Sequence, residues 1–172
     1  TQIKPTTMKR INNLLLALLF SAPAFAQPSN DECANAMILP FTCDTTLVGQ
    51  TTIAATFDNV GTCGTTNTAA GVWYEVPGHD GVITTSTCNQ ASYDTKISVF
   101  VGSCGSLTCV GGQDDAAGCS GFTTEFSFFS NGALSYYIFV HGFGSATGNF
   151  DLTISRSIEG TPEDIAICAG DS

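Results

Sequence analysis

Short runs of β-prone residues, separated by clusters of Gly, Asn, Asp and Thr, recur along most of the chain. The runs are rich in Val, Ile, Thr, Tyr and Phe, which favours strands over helices. No convincing helical periodicity follows the first thirty or so positions. Eight or nine strands are therefore predicted, in the runs AMILPFT, TLVGQTTIAAT, GVWYEV, VITTSTC, TKISVFV, LTCVGGQ, TTEFSFF, SYYIFVHG and GNFDLTIS.

Several of these runs alternate apolar and polar residues with a period of two. Such alternation is typical of an antiparallel sheet with one buried and one wet face. In TKISVFV the wet face would carry Lys96 and Ser98, whereas YYIFVHG is apolar on both faces and is predicted to be a central strand. Two sheets of this kind bury their apolar faces against each other, so we expect an all-β, antiparallel β-sandwich. The predicted inward residues are Ile97, Val99, Val101, Phe126, Phe128, Phe150, Leu152 and Ile154.

The first part of the chain has the three regions of a secretory signal peptide. A basic start at Met8-Lys9-Arg10 precedes the apolar run INNLLLALLF, and Ala24-Phe25-Ala26 resembles a cleavage site. The apolar run is shorter than the roughly 20 residues that span a bilayer. We therefore predict an upstream extension over 1–7, a signal peptide over 8–26 and an exported protein.

The sequence changes character again after Arg156. Residues 158–172 hold Gly160, Pro162 and several acids, which is typical of an exposed linker. The final DIAICAGDS resembles the first strand of a further module. The β-sandwich module is thus predicted to occupy residues 27–157.

The charge balance narrows the range of partners. After removal of the signal peptide, Lys96 and Arg156 are the only basic residues left against fifteen Asp and Glu. Nucleic acids and anionic membrane surfaces need a basic footprint, so both are disfavoured. Cations, neutral sugars and proteins remain, and solubility outside the cell is the simplest explanation of the acidity.

Eight cysteines follow the predicted signal peptide, and in an exported chain they indicate disulfides. A hairpin bridge between Cys104 and Cys109 is predicted from their spacing, and Cys88 with Cys119 is the second pair. The remaining Cys33, Cys43 and Cys63 then compete, and one stays free or pairs with Cys168. A zinc site is disfavoured, because C-x-x-C spacing is absent and the chain has only two His.

No catalytic constellation is recognised in the sequence. The segment around His141 and Ser145 does not match G-x-S-x-G, and no helix follows it. His79 is interpreted as a turn residue. Adjacent Asp114 and Asp115 share one loop, whereas a glycosidase needs two carboxyl groups across a cleft. We therefore expect no enzyme activity and no cofactor beyond a metal ion.

The stretch GGQDDAAGC is the strongest candidate for a cation site. Gln113, Asp114 and Asp115, with the carbonyl groups of Gly111 and Gly112, offer the oxygen ligands that calcium prefers. Asp94 begins a predicted strand and would reach the same edge. The alternative is that Asp114 and Asp115 accept hydrogen bonds from backbone N–H groups of their own turn.

Aromatic residues offer a third kind of site. Trp73, Tyr74, Tyr93, Tyr136 and Tyr137 could together form a platform on which sugars stack. Trp73, however, lies among apolar neighbours in GVWYEV. Packing in the core is the favoured interpretation, because large aromatic side chains dominate core energetics.

Four segments together resemble a known family: SNDECANA, GVWYEV, STCNQASYDTKISVFVGSCGSLTCVGGQDDAAGC and YYIFVHGFGSATGNFDLTIS. They are similar to secreted β-sandwich modules related to the bacterial pre-peptidase C-terminal (PPC) domain, over about residues 29–156. The resemblance implies a jelly-roll-like sandwich without its own catalysis, found in large exported proteins, many of them type IX secretion substrates. It also implies calcium binding in some relatives, with Asp94, Asp114 and Asp115 at the matching positions.

The sequence thus predicts a non-catalytic extracellular accessory or adhesion module of a secreted multidomain protein. Its expected partner is a polysaccharide or protein polymer. The alternatives are a structural spacer repeat, or an accessory fragment of a secreted peptidase or glycosidase.

Overall fold

Nine strands lie within residues 1–2, 26–40 and 44–157, the part of the chain that the computed structural model describes. Each strand falls on one of the predicted runs, although the first is reduced to two residues. Most of the predicted signal peptide, the predicted linker, Cys43 and Cys168 lie outside the described residues. The strands are Met37–Ile38 (β1), Thr45–Thr51 (β2), Gly71–Pro77 (β3), Gly81–Ser86 (β4), Thr95–Ser103 (β5), Ser106–Gln113 (β6), Glu125–Ser130 (β7), Ser135–Gly142 (β8) and Asn149–Ser157 (β9).

The strands form two sheets, in the orders β1-β3-β8-β5-β6 and β2-β9-β4-β7. All pairings are antiparallel except that of β1 with β3. Without β1, the eight remaining strands divide into two four-stranded sheets, as in a jelly roll. The predicted all-β antiparallel sandwich is therefore confirmed, and β8 is the central strand that its two apolar faces indicated.

The inner faces of the two sheets form the main hydrophobic core. Ile97 and Ile138 from the five-stranded sheet are fully buried, as are Ile83 and Leu152 from the four-stranded sheet. In β9 the buried side is the one that the alternation predicts, since Phe150, Leu152 and Ile154 all lie in this core. Burial of these side chains supplies the dominant favourable free energy of folding.

The outer face of the five-stranded sheet differs from the prediction. Lys96 is 1% exposed and Ser98 2% exposed, so this face of β5 is not wet. Residues 52–70, which connect β2 to β3, lie across it. The Ser98 hydroxyl donates to the carbonyl of Cys63 (3.0 Å), and Lys96 Nζ donates to Thr66 Oγ1 (3.3 Å).

A second apolar cluster lies under this connection. Trp73 stacks on Phe139 with ring centroids 4.4 Å apart, and Phe100 and Cys63 complete the cluster. The backbone of the connection also comes very close to β6, because a Cβ on Gly64 would meet the Gly112 nitrogen at 2.1 Å. Only glycine permits such an approach. The central strands β3, β5 and β8 are consequently buried on both faces, whereas the edge strand β6 stays largely exposed.

The segment before β1 attaches to the same outer layer. Asn30 exchanges two hydrogen bonds with the backbone of Trp73, at 2.8 and 3.0 Å. The buried Asp31 carboxylate accepts hydrogen bonds from the backbone N–H and the hydroxyl of Thr56, both at 2.6 Å. A buried carboxylate is tolerated when it is hydrogen-bonded in this way. The motif SNDECANA thus fixes the start of the domain to residues 52–70.

Three disulfides link the described cysteines, Cys33–Cys104, Cys63–Cys109 and Cys88–Cys119. The pairing of Cys88 with Cys119 agrees with the sequence, but the predicted bridge between Cys104 and Cys109 is wrong. Cys104 lies in the tight turn closed by Ser103 and Ser106, whereas Cys109 lies opposite Phe100 on β5. The two are therefore not cross-strand neighbours, and each instead attaches a more distant segment to the hairpin.

These disulfides fit an oxidising, extracellular environment. Two of them hold the outer layer against the five-stranded sheet. The third joins Cys88, two residues after β4, to Cys119 in the loop between β6 and β7. Among the described residues, no helix has the length and apolar character needed to cross a bilayer.

Candidate functional site

Three carboxylates converge at one end of the β5–β6 hairpin. Asp94 immediately precedes β5, and Asp114 and Asp115 immediately follow β6. Because the two strands are antiparallel, the start of one lies beside the end of the other. Each residue has a carboxylate oxygen within 4.8 Å of the others, so the structure brings together the residues singled out from the sequence.

Lys96 places a positive charge within this acidic cluster. Its Nζ lies 3.0 Å from Asp114 Oδ2, and its side chain is 2% exposed. The ammonium group also lies 4.7 Å from the ring centroid of Phe143, at cation–π distance. Since Lys96 neutralises one carboxylate, the cluster keeps two negative charges when its acids are ionised.

Two carboxylate oxygens of the cluster lack donors. The Oδ1 atoms of Asp94 and Asp114 are buried without a hydrogen-bond partner among the described residues. Desolvation by burial raises the pKa of Asp94, and repulsion from Asp114 and Asp115 raises it further. Among the described residues, no backbone N–H donates to Asp114 or Asp115, so the turn-capping alternative gains no support from the hydrogen bonds. Gln113 Nε2 holds the turn by donating to the carbonyl of Asp115 (3.0 Å).

The cluster suits a divalent cation in charge and spacing. Calcium prefers carboxylate and carbonyl oxygens, and two orphaned oxygens beside a third carboxylate supply part of such a set. Gly111 and Gly112 lie within β6 in register with β5, so they are not part of the flexible loop expected from the sequence. Calcium bound here would take its remaining ligands from water, as partly exposed sites do.

Both histidines of the chain turn inward. His141 is fully buried, stacks on Phe139 and lies 3.3 Å from the Ser98 hydroxyl. Burial, and then the charge of Lys96, lowers the pKa of His141 to about 3. His79 is buried beside Ser130 (Nδ1 to Oγ, 3.1 Å), so it is more than the simple turn residue expected from the sequence.

The aromatic residues considered as a sugar-stacking platform serve packing instead. Trp73, Tyr74 and Tyr136 are buried, whereas Tyr93 and Tyr137 are half-buried. Tyr93 packs against the main core and Tyr137 against the cluster around Trp73. The favoured interpretation, in which these residues serve packing, agrees with this burial.

A crevice of about 460 Å³ opens where the outer layer meets the five-stranded sheet. Residues 32–34 form one wall, residues 58–60 a second, and the β5–β6 turn with Leu107 a third, and Trp73 lies between them. The Cys33–Cys104 disulfide joins the first wall to the third. Sequence reasoning missed this site, because its walls are distant in sequence and are brought together by a long-range disulfide and by hydrogen bonds such as that of Trp73 to Asp58.

The carboxylates of the crevice come from Glu32 and Asp58. Asp58 Oδ2 accepts a hydrogen bond from Trp73 Nε1 (2.6 Å), and no other described side chain donates to this carboxylate. Desolvation raises the pKa of Asp58, the hydrogen bond from Trp73 lowers it, and repulsion from Asp31 adds a smaller upward contribution. In the part of the chain that the structure describes, no Lys, Arg or His lines the crevice.

The fold and these two sites define a class of protein: a disulfide-bridged β-sandwich of jelly-roll type that displays carboxylates at both ends of the β5–β6 hairpin. Comparison with protein-family models, curated proteins and solved structures gave no match to this chain. The function must therefore be argued from the residues themselves.

Proposed function

We propose that the chain is a non-catalytic extracellular module of a secreted multidomain protein, and that it attaches the protein to a polymer. The crevice beside Trp73 carries this proposal. It is concave, is bounded by a disulfide and combines apolar walls with two carboxylates. Its volume lies within the roughly 300–1,000 Å³ typical of ligand sites.

The positions of the histidines favour binding over catalysis. His79 and His141 are the residues best suited to general acid–base work near neutral pH. Both are buried in contact with structural serine hydroxyls, Ser130 and Ser98. The resemblance to PPC-related modules, which accompany enzymes or adhesins without catalysis of their own, supports the same proposal.

A screen of the oxidised chain against immobilised polysaccharides and fibrous proteins tests this function. We expect saturable binding to at least one polymer, lost when the disulfides are reduced and alkylated. Uniformly flat responses would favour the alternative of a spacer repeat that positions other domains. An accessory role beside a peptidase or glycosidase predicts in addition that the retained polymer is that enzyme's substrate.

Calcium binding by Asp94, Asp114 and Asp115 is the second proposed property, supported by the two buried Oδ1 atoms that lack donors. An ion that binds only the native state raises its stability by mass action. We therefore expect a chelator to lower the melting temperature of wild-type protein, and added calcium to restore it.

Two variants test this assignment. Asp114→Asn removes a proposed ligand, and Asp80→Asn, at an exposed acid in the β3–β4 turn, is the matched control. The first variant should lose the response to calcium, and the second should keep it. Identical melting curves of wild-type protein with chelator and with calcium would reject the site.

A further inference from the structure

The crevice beside Trp73 has two chemically distinct parts. Val60, Leu107 and Ala34 supply apolar surface, whereas Glu32 and Asp58 supply carboxylates. Val60 and Leu107 also pack against the cluster of Trp73, Phe100 and Phe139, so the apolar wall of the crevice is held in place by the core beneath it. A ligand that fills the crevice therefore needs an apolar stem and a cationic end.

Among the described residues that line the crevice, no basic side chain balances its negative charge. Lys96 forms its ion pair with Asp114 at the acidic cluster, and Arg156 lies near Asp44 at the end of β9. Asp58 is partly desolvated and faces the additional negative charge of Asp31. A positive group entering the crevice would relieve this repulsion and gain charge-assisted hydrogen bonds.

Among common chemical groups, the side chains of Lys and Arg have both features. Each carries an alkyl stem that packs on apolar surface and a cationic head that stays hydrogen-bonded. A neutral sugar has no charge with which to balance two carboxylates. A bare metal ion would leave the apolar wall unused.

We propose that this crevice binds a Lys or Arg side chain of a protein partner, with the alkyl stem against Val60 and Leu107 and the cationic head on Asp58 and Glu32. The inference rests on the proposed function and names its partner class: a protein polymer that displays basic side chains. The net charge of −10 favours the approach of such a partner at low ionic strength.

Trp73 provides a direct readout, because it is the only Trp of the chain and lines the crevice. The full, oxidised chain is titrated with the Nα-acetyl methylamides of lysine, arginine and norleucine while its fluorescence is recorded. The two cationic compounds should give a saturable change that weakens as salt is added, whereas neutral norleucine should give none. Equal responses to all three, or no saturable response, would overturn the proposal.

Variants assign the binding to the carboxylates. Glu32→Gln and Asp58→Asn should each weaken binding of the lysine compound about tenfold, since hydrogen bonds to charged groups are stronger than neutral ones. Glu32 is exposed, so its variant should fold normally. Glu125→Gln, an exposed acid on β7 of the other sheet, is the matched control and should bind as the wild type does. An equal loss in the control would contradict the assignment.

A peptide with several lysines, and the same peptide with every lysine acetylated, separate a protein partner from a free amine. The proposal is supported if the unmodified peptide binds more tightly than the single-residue compound and the acetylated peptide does not bind. It is overturned if the single-residue compound binds and neither peptide does. If the polymer screen is positive but Glu32→Gln and Asp58→Asn leave it unchanged, the crevice assignment fails while the proposed function stands. If the cationic compounds change the fluorescence of Trp73 but no polymer is retained in the screen, the crevice assignment is supported and attachment to a polymer is rejected.

Discussion

The two faces of the five-stranded sheet are built by the same strands but covered in different ways. The inner face packs Ile97, Ile138 and their neighbours against the second sheet, strand upon strand. The outer face is covered by residues 52–70 and by the segment before β1, which contain little regular structure. Apolar packing dominates the first contact, with a hydrogen bond from the Tyr74 hydroxyl to Gln50 Oε1 (3.0 Å) between the sheets. Two disulfides and several polar contacts hold the second.

This difference shows what an irregular covering segment requires. A sheet presents a continuous apolar face, whose burial is worth about 25 cal/mol per Å². An irregular segment presents fewer apolar side chains and must place its own backbone polar groups. Here the Ser98 hydroxyl donates to the carbonyl of Cys63, and the Asp31 carboxylate accepts from the N–H of Thr56. The disulfides add stability by limiting the conformational freedom of the unfolded chain. The crevice lies in this outer layer, and the inner interface is closely packed.

The largest expected effect lies on the inner face. Ile138→Ala should lower the free energy of unfolding by about 2–5 kcal/mol, because the fully buried side chain leaves a cavity between the sheets. Phe129→Ala, at a residue that is 69% exposed on β7, is the control and should change it by less than about 0.5 kcal/mol. Denaturant unfolding of the oxidised proteins measures both. Similar losses for the two variants would mean that the inner face is not the main core.

The second-largest expected effect concerns the outer layer and its disulfide Cys63–Cys109. Replacing Cys63 and Cys109 together by Ala should destabilise the protein by about 2–4 kcal/mol. Hydrogen exchange should also accelerate locally in residues 52–70, because their covalent attachment to β6 is lost. The matched control replaces Cys88 and Cys119, a disulfide elsewhere in the fold. If both double variants accelerate exchange in residues 52–70 equally, the outer layer does not depend on its own bridge.

The smallest effect concerns pH, through His141 on the outer face. Its pKa falls from 6.5 to about 3 on folding, so the unfolded chain takes up this proton at a higher pH than the native chain does. Stability is therefore complete above pH 6.5 and is lost as the pH falls toward 3. Between pH 6.5 and 5 the loss from this group is about 2 kcal/mol.

Urea unfolding between pH 5 and 7 measures this slope, in a range above the ordinary carboxyl pKa values. His141→Asn removes the titrating group and should flatten the slope. An unchanged slope in that variant would mean that another group causes the pH dependence.

The inner face could be predicted from the sequence, and the outer layer could not. In β9 the alternation of Phe150, Leu152 and Ile154 with polar residues predicts the buried side correctly, because solvent covers the other side. In β5 the same pattern predicts a wet face at Lys96 and Ser98, and it is wrong. A polar face that is covered by a hydrogen-bonding segment has the same pattern as one covered by water.

The two candidate sites also differ in how far the sequence predicted them. Asp94, Asp114 and Asp115 are brought together by one hairpin, so strand direction alone indicated that they meet. Glu32 and Asp58 line one crevice with the β5–β6 turn, to which the Cys33–Cys104 bridge joins the Glu32 segment. The spacing instead suggested that Cys104 pairs with Cys109. Local geometry can be anticipated from a sequence, but disulfide partners far apart in the chain cannot.

Disulfide mapping tests most directly the central claim, that the outer layer is covalently attached to the five-stranded sheet. The native protein is digested with pepsin at low pH, where disulfide exchange is slow, and the linked peptides are identified by mass spectrometry. The account predicts peptides joined through Cys33–Cys104 and Cys63–Cys109. A peptide closed by a bridge between Cys104 and Cys109 would contradict it, because the outer layer would then lack both of its covalent attachments.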